Sequence, residues 1–102
     1  MNRHITKNLD CSTAHITYKD NVFLMLQSSD PSASLIIYPF EAGFFVYVPQ
    51  IDFEQTLNKL KESNEYSQEF RNLLCIAHDK DCKFLHLDRD GETYKDLPTF
   101  DW

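Results

Sequence analysis

The sequence predicts an α+β domain of the ferredoxin-like, split βαβ type, with a four-stranded antiparallel sheet and helices on one face. The first observation is the order of its segments, which alternate between strand-like and helix-like patterns as β-α-β-β-α(α)-β. The second is residues 35–48 (LIIYPFEAGFFVYV), where two β-branched and aromatic runs surround Glu41-Ala42-Gly43. That pattern is typical of a β-hairpin with a glycine available for positive φ. The third is that a strand, helix and strand in one sheet require a right-handed crossover, which the split βαβ sandwich supplies economically.

A strand and a helix precede the hairpin. Residues 8–16 (NLDCSTAHI) predict the first strand. Thr17, with Asp20 three residues later, has the spacing of a helix capping box. The helix that follows is predicted to be amphipathic, since four apolar residues share one face at helical spacing: Tyr18, Val22, Met25 and Leu26.

Two helices, a strand and a tail follow the hairpin. Asp52 is predicted to open the second helix and Ser67 to cap the third. Residues 83–88 (KFLHLD) predict the last strand, with a turn at Asp90-Gly91. Residues 91–102 are then an irregular, acidic and aromatic C-terminal tail of a single domain that spans residues 1–102.

The hairpin has two apolar faces, because side chains alternate along a strand. The mostly aliphatic set is Leu35, Ile37, Phe44, Val46 and Val48. The mostly aromatic set is Ile36, Tyr38, Phe45 and Tyr47. Neither set is typical of a face exposed to water, so we expect helices to cover one of them. The other face is then either open or covered by the C-terminal tail.

Composition is typical of one globular domain. Hydrophobic residues make up 42% of the 102 residues and aromatic residues 14%, enough for a core without disulfides. No apolar run approaches the roughly 20 residues that span a membrane, and the N-terminal segment lacks the apolar region of a signal peptide. Three cysteines, an odd number, are typical of reduced thiols. We therefore expect a cytoplasmic protein that has no contact with membranes.

The net charge of −6 bears on the class of partner. Nucleic-acid affinity depends largely on Lys and Arg at phosphates, so direct nucleic-acid binding is not expected. A basic protein surface would instead be attracted. The alternative is that this acidity serves only solubility.

Four residues of zinc-ligand type lie close together in the sequence, namely Cys75, His78, Cys82 and His86. Cys82 and His86 fall at opposite ends of one predicted strand, roughly 13 Å apart, whereas zinc–ligand bonds are about 2 Å. A zinc site would require the strand prediction to be wrong. Two small apolar thiols and two half-buried histidines are the simpler interpretation.

Two other patterns suggest chemistry weakly. Cys11 and His15 could act as nucleophile and base, but strand spacing separates them by roughly 13 Å. Residues 88–92 (DRDGE) are similar to part of a calcium loop but lack its glycine and glutamate positions. The only glycines are Gly43 and Gly91, so no phosphate-binding loop is present. We therefore expect no catalytic residues, metal or cofactor, with a thiol- or histidine-based enzyme or metal-binding protein as the alternative.

Aromatic side chains are the better candidates for function. Rings with polar tips suit a protein partner or a second copy of this chain better than RNA bases, which normally require a positive surface. The aromatic tail either packs on its own sheet or anchors in a groove of another protein. A homodimer with a structural role is a further alternative. The residues expected to bind a partner are Tyr38, Phe45, Tyr47, Phe100, Asp101 and Trp102.

Three stretches carry a family resemblance: residues 12–17 (STAHIT), Tyr38-Pro39 in the hairpin, and residues 87–102, which end in LPTFDW. In these the chain resembles a family of small uncharacterised bacterial proteins found on plasmids, prophages and other mobile elements. The resemblance spans nearly the whole chain and implies no activity. It implies a setting in which small acidic proteins often inhibit host defence or act as partners in maintenance systems. We therefore expect a non-enzymatic protein-interaction module of a mobile element, and an anti-CRISPR-like inhibitor that binds a basic surface of a defence complex is one form that this setting suggests.

Overall fold

The computed structural model describes residues 6–102, so the first five residues of the predicted domain lie outside the described part. The strands of that part are β1 (Asn8–Ser12), β2 (Ile37–Phe40), β3 (Gly43–Tyr47) and β4 (Phe84–Asp88). The α-helices are α1 (Tyr18–Gln27), α2 (Phe53–Ser63) and α3 (Gln68–Asp79). This order confirms the prediction of a mixed α+β fold with a four-stranded sheet.

The first strand is shorter than predicted. It ends at Ser12, and Thr13–His15 form a 3-10 turn. The Ser12 hydroxyl accepts a hydrogen bond of 3.0 Å from the amide of Ala14. This local bond gives the backbone an alternative to the strand ladder, which is why the alternating sequence does not extend the strand.

The sheet is mixed, so the prediction of a purely antiparallel sheet is wrong and a ferredoxin-like arrangement is not confirmed. The strand order is β1-β4-β3-β2. β3 pairs antiparallel with β2 and β4, while β4 pairs parallel with β1. Parallel pairing requires a crossover connection, and here the chain between β1 and β4, with its helices and hairpin, provides it.

The helices cover one face of the sheet. The mostly aliphatic set of the hairpin is buried there, as are the inward residues of β1 and β4: Leu35, Ile37, Phe44, Val46, Val48, Cys11, Leu85 and Leu87. Phe70, Leu73 and Leu74 of α3 and Leu60 of α2 belong to the same core cluster. Most residues that alternate with these on the strands are half-buried or exposed. The opposite face of the sheet is therefore the one that the helices leave uncovered.

Gly43 has a different role from the one predicted. The hairpin connection is Glu41-Ala42 alone, and Gly43 is the first residue of β3, without a positive φ. A Cβ atom built on Gly43 would lie 1.8 Å from the carbonyl oxygen of Leu87 on β4. The glycine is therefore required for the close approach of two backbones.

Helix α1 begins as predicted but is rotated differently about its axis. Thr17 and Asp20 form the capping box, and the Asp20 carboxylate is fully buried. The predicted apolar stripe lies on the side of α1 opposite Asp20 and faces solvent, since Tyr18 is 58% and Met25 59% exposed. Since an apolar stripe usually faces the core, α1 presents an unusual outer surface.

Helix α3 begins with the predicted cap, since the Ser67 hydroxyl accepts a hydrogen bond from the amide of Phe70. Asp52 precedes α2 as predicted, but it adopts a left-handed conformation and makes no side-chain cap bond. The Phe53 and His78 rings stack 4.0 Å apart and join the two helices. None of the helices in residues 6–102 is long and apolar enough to cross a membrane.

Replacing Gly43 tests the close approach of β3 and β4. In Gly43→Ala the new methyl group would collide with the Leu87 carbonyl oxygen, so the strands must separate. We expect the free energy of unfolding in urea to fall by about 3 kcal/mol or more. Ala42→Gly in the adjoining turn is the control and should cost no more than about 1 kcal/mol. A Gly43→Ala protein as stable as wild type would contradict this packing.

Candidate interaction surface

The uncovered face of the sheet carries aromatic side chains from three adjacent strands. We call the following residues the aromatic sheet face: Tyr38 and Phe40 on β2, Phe45 and Tyr47 on β3, and Phe84 and His86 on β4. Phe84 contacts three of these rings, with ring centroids 6.2 Å from Tyr38, 6.1 Å from Phe45 and 5.9 Å from Tyr47. These edge-to-face contacts hold the rings in fixed orientations.

The rings of this face bury one another without being sealed from solvent. Tyr38 is 54% exposed and Phe40 37% exposed. Phe45, Tyr47 and Phe84 are half-buried. The three aromatic residues predicted from the hairpin, Tyr38, Phe45 and Tyr47, thus lie together on a face that is accessible from solvent.

A histidine between two carboxylates forms the polar end of the aromatic sheet face. His86 Nδ1 lies 2.8 Å from Asp10 Oδ1, and its Nε2 lies 3.8 Å from Asp88 Oδ2. Its ring stacks on Phe45 at 4.3 Å with the planes 3° apart. Asp10 is the register partner of His86 across the parallel β1–β4 pair. This end of the face therefore presents negative charge beside aromatic rings.

Sequence reasoning missed half of this surface. Phe84 and His86 alternate with the buried Leu85 and Leu87, so strand parity alone could have placed both on the uncovered face. No sequence signal could have found Asp10, because it reaches His86 only through the parallel pairing of two distant strands.

The C-terminal tail lies along the edge of β1 and not over the aromatic sheet face. The Ser12 amide donates a 2.7 Å hydrogen bond to the Glu92 carbonyl, and the Phe100 amide donates one of 2.8 Å to the Ala14 carbonyl. The Trp102 indole Nε1 donates one of 2.9 Å to the Ile16 carbonyl. The tail therefore packs on its own domain, although Trp102 remains 52% exposed.

The six residues predicted to bind a partner thus fall in two places. Tyr38, Phe45 and Tyr47 belong to the aromatic sheet face. The other three belong to the tail beside the 3-10 turn: Phe100, which is half-buried, and Asp101 and Trp102, which are exposed.

His15 is the buried side chain that holds the tail in place. Its Nε2 accepts a 2.9 Å hydrogen bond from the Tyr94 amide. Its Nδ1 must then carry the proton, and it donates a 2.8 Å hydrogen bond to the Pro98 carbonyl. The Tyr94 ring stacks on the imidazole at 5.8 Å. Both nitrogens are occupied, so His15 has no free nitrogen to act as the base of a Cys11–His15 pair.

The candidate thiol and zinc residues do not converge. Burial and the nearby Asp10 carboxylate raise the pKa of Cys11 to about 12. His78 stacks on Phe53, whereas His86 lies on the aromatic sheet face. No group of three or more His, Cys, Asp or Glu residues within positions 6–102 is arranged to hold a metal ion. The turn predicted at Asp90-Gly91 lies one residue earlier, at Arg89-Asp90, and the Gly91 amide closes it by donating to the Asp88 carbonyl.

The comparison with protein families assigns the chain to a family. A family model matches residues 8–102, and the chain therefore belongs to that family, described as a family of unknown function (DUF5983), C-terminal domain. No curated protein and no solved structure matches the chain. Membership confirms that the chain belongs to an uncharacterised family, while a bacterial origin on mobile elements stays a prediction.

Removing the His15 side chain should release the tail. His15→Ala loses the acceptor for the Tyr94 amide and the donor to the Pro98 carbonyl, which we expect to cost about 2–4 kcal/mol. Hydrogen exchange should show loss of protection at the amides of Tyr94 and Phe100. His78→Ala, the same change on α3 away from the tail, should leave those two amides protected. Unchanged protection in His15→Ala would show that His15 does not hold the tail.

Thiol reactivity should differ between the cysteines according to their burial. Because the pKa of Cys11 is raised to about 12, its thiol stays protonated at pH 8 and we expect no alkylation by iodoacetamide in the folded protein. Cys75 is partly accessible, and its pKa is also raised by burial and by nearby carboxylates. It should react first, with a rate that still rises above pH 9. Mass spectrometry of peptides reports each site, and rapid labelling of Cys11 at pH 8 would favour the thiol-enzyme alternative.

Proposed function

We propose that this member of the family is a non-enzymatic interaction module that docks through its aromatic sheet face on a basic, arginine-bearing surface of a protein partner. The observation that carries the proposal is the set of aromatic rings from three adjacent strands that no helix of the described chain covers. Large contiguous apolar surfaces on soluble domains usually mark interaction sites.

The side chains on this face suit a protein partner. Aromatic rings with polar tips, such as Tyr38 and Tyr47, are enriched at protein interfaces because they bury large areas and still satisfy a hydroxyl group. The contacts between Phe84 and its neighbours restrain the rings before any partner binds, which lowers the entropy cost of association.

The charge pattern favours a basic partner. Asp10 and Asp88 flank His86 at one end of the aromatic sheet face, and the whole chain carries a net charge of −6. The faces of aromatic rings attract cations, arginine most often, and carboxylates beside them can accept its hydrogen bonds. Lys83 lies 5.6 Å from the Phe84 ring and is a basic group on this side of the sheet. Stacking of RNA bases is less well supported, because phosphates would meet these carboxylates.

Both edges of the sheet are poorly suited to strand addition, which also directs binding to the face. Pro39 on the edge strand β2 has no amide hydrogen to donate. On the other edge strand, β1, the Ser12 amide is bonded to Glu92 and the Asp10 carbonyl accepts from the Tyr94 hydroxyl. A partner is therefore expected to contact side chains.

Direct binding of a basic peptide tests the proposal. An arginine–glycine repeat peptide should perturb the amide resonances of β2, β3 and β4, and a glutamate–glycine peptide of the same length should not. Tyr38→Ala should weaken the arginine peptide at least about ten-fold, that is by about 1.4 kcal/mol. Leu26→Ala removes an apolar side chain of α1 that is 65% exposed, against 54% for Tyr38, and lies on the helix side of the sheet; this variant should bind like wild type.

Three results would contradict the proposal. The first is equal affinity of wild type and Tyr38→Ala for the peptide, and the second is a perturbation map centred outside the sheet. The third comes from sedimentation: a wild-type dimer that Tyr38→Ala dissociates would assign the face to a second copy of this chain, the homodimer alternative.

The narrower prediction of an anti-CRISPR-like inhibitor follows from the family resemblance, and its test is whether the natural partner belongs to a bacterial defence complex.

A further inference from the structure

A cleft on the helix side of the molecule is separate from the aromatic sheet face. It lies between α1 and the tip of the β2–β3 hairpin and has a volume of about 360 Å³. Its apolar lining includes Met25 of α1, Phe40 and Phe44 of the hairpin, and Trp102 of the tail. Phe40 is the one residue it shares with the aromatic sheet face. This volume is at the lower end of the range for small-molecule sites.

Two opposite charges line the same cleft. Arg89 and Glu41 both belong to its lining. The Arg89 amide donates a 2.9 Å hydrogen bond to the carbonyl of Ala42, so Arg89 stands opposite the residue that follows Glu41. Neither side chain forms an ion pair within 4.0 Å among the described residues, where the ion pairs involve His78 and His86. One basic and one acidic residue therefore border the cleft beside its apolar walls.

The wall formed by Trp102 is held in place. Its indole N–H is bonded to the Ile16 carbonyl at 2.9 Å, and its ring meets Tyr18 edge-on at 5.6 Å. A ligand entering the cleft would thus meet an aromatic surface that is already oriented, which lowers the entropy cost of binding.

We infer that this cleft binds a small zwitterion with an apolar side chain, namely a free α-amino acid of the phenylalanine or leucine type. The guanidinium of Arg89 binds the carboxylate, for which its planar fork is suited. The carboxylate of Glu41 binds the ammonium group. The apolar side chain lies against Met25, Phe40 and Trp102. A simple organic anion fits less well, because Glu41 and the net charge of −6 would repel it.

Trp102 is the only tryptophan in the sequence and reports occupancy directly. Titration of the full chain with L-phenylalanine or L-leucine should change its fluorescence with saturation below about 10 mM, the range expected for a weak small-ligand site. Two probes isolate the charges: 3-phenylpropionate keeps only the carboxylate and 2-phenylethylamine keeps only the ammonium group. Each should bind at least about ten-fold more weakly than L-phenylalanine, since one ion pair is lost.

Variants assign the two charges to their residues. Arg89→Gln should remove L-phenylalanine binding, and Arg89→Lys should restore part of it. Glu41→Gln should abolish the preference for L-phenylalanine over 3-phenylpropionate. Lys59→Gln on the exposed side of α2 removes a positive charge elsewhere and should bind like wild type. The inference is overturned if neither amino acid gives a saturable change, if 3-phenylpropionate binds as tightly as L-phenylalanine, or if Arg89→Gln binds normally.

Discussion

The buried carboxylate of Asp20 is the contact on which the arrangement of the helices depends. It accepts a 2.9 Å hydrogen bond from the Thr17 amide at the start of α1, and a 2.7 Å bond from the Ser67 amide at the start of α3. The Ser67 hydroxyl donates a further bond of 2.5 Å. A buried anion without a cation is costly, but three donors and the positive ends of two helix dipoles offset that cost.

The inward direction of Asp20 determines what the opposite side of α1 presents. At 3.6 residues per turn, Tyr18 and Met25 lie roughly on the far side of the helix from position 20, so burying the carboxylate turns them to solvent. Met25 lines the cleft beside the hairpin together with Trp102, whose indole is bonded to the Ile16 carbonyl and packs against the Tyr18 ring. The burial of the Asp20 carboxylate therefore both joins the starts of α1 and α3 and exposes the apolar side of α1.

The tail covers one edge of the sheet and leaves the aromatic sheet face open. The tail covers the outer edge of β1 through backbone bonds and the His15 side chain, and β2 has a proline on the other edge. The uncovered side of the sheet carries the aromatic rings, which are restrained by the contacts of Phe84 with Tyr38, Phe45 and Tyr47. Two surfaces of different chemistry result, one aromatic and acidic, the other a cleft with charges of both signs.

Local spacing and strand parity were sufficient to predict the order of the main helices and strands, the Thr17–Asp20 and Ser67 caps and the two faces of the hairpin. They did not predict that the first strand ends at Ser12, where a side-chain hydrogen bond replaces the strand ladder. The folded arrangement of the chain alone set the strand order, since a strand pattern carries no information on which neighbour it will join. It also decided the outward face of α1, where a buried capping carboxylate outweighed the apolar stripe, and the Asp10–His86 contact, which needs β1 and β4 side by side. Local patterns determine whether a segment forms a helix or a strand, whereas contacts between distant segments determine which of its faces stays exposed.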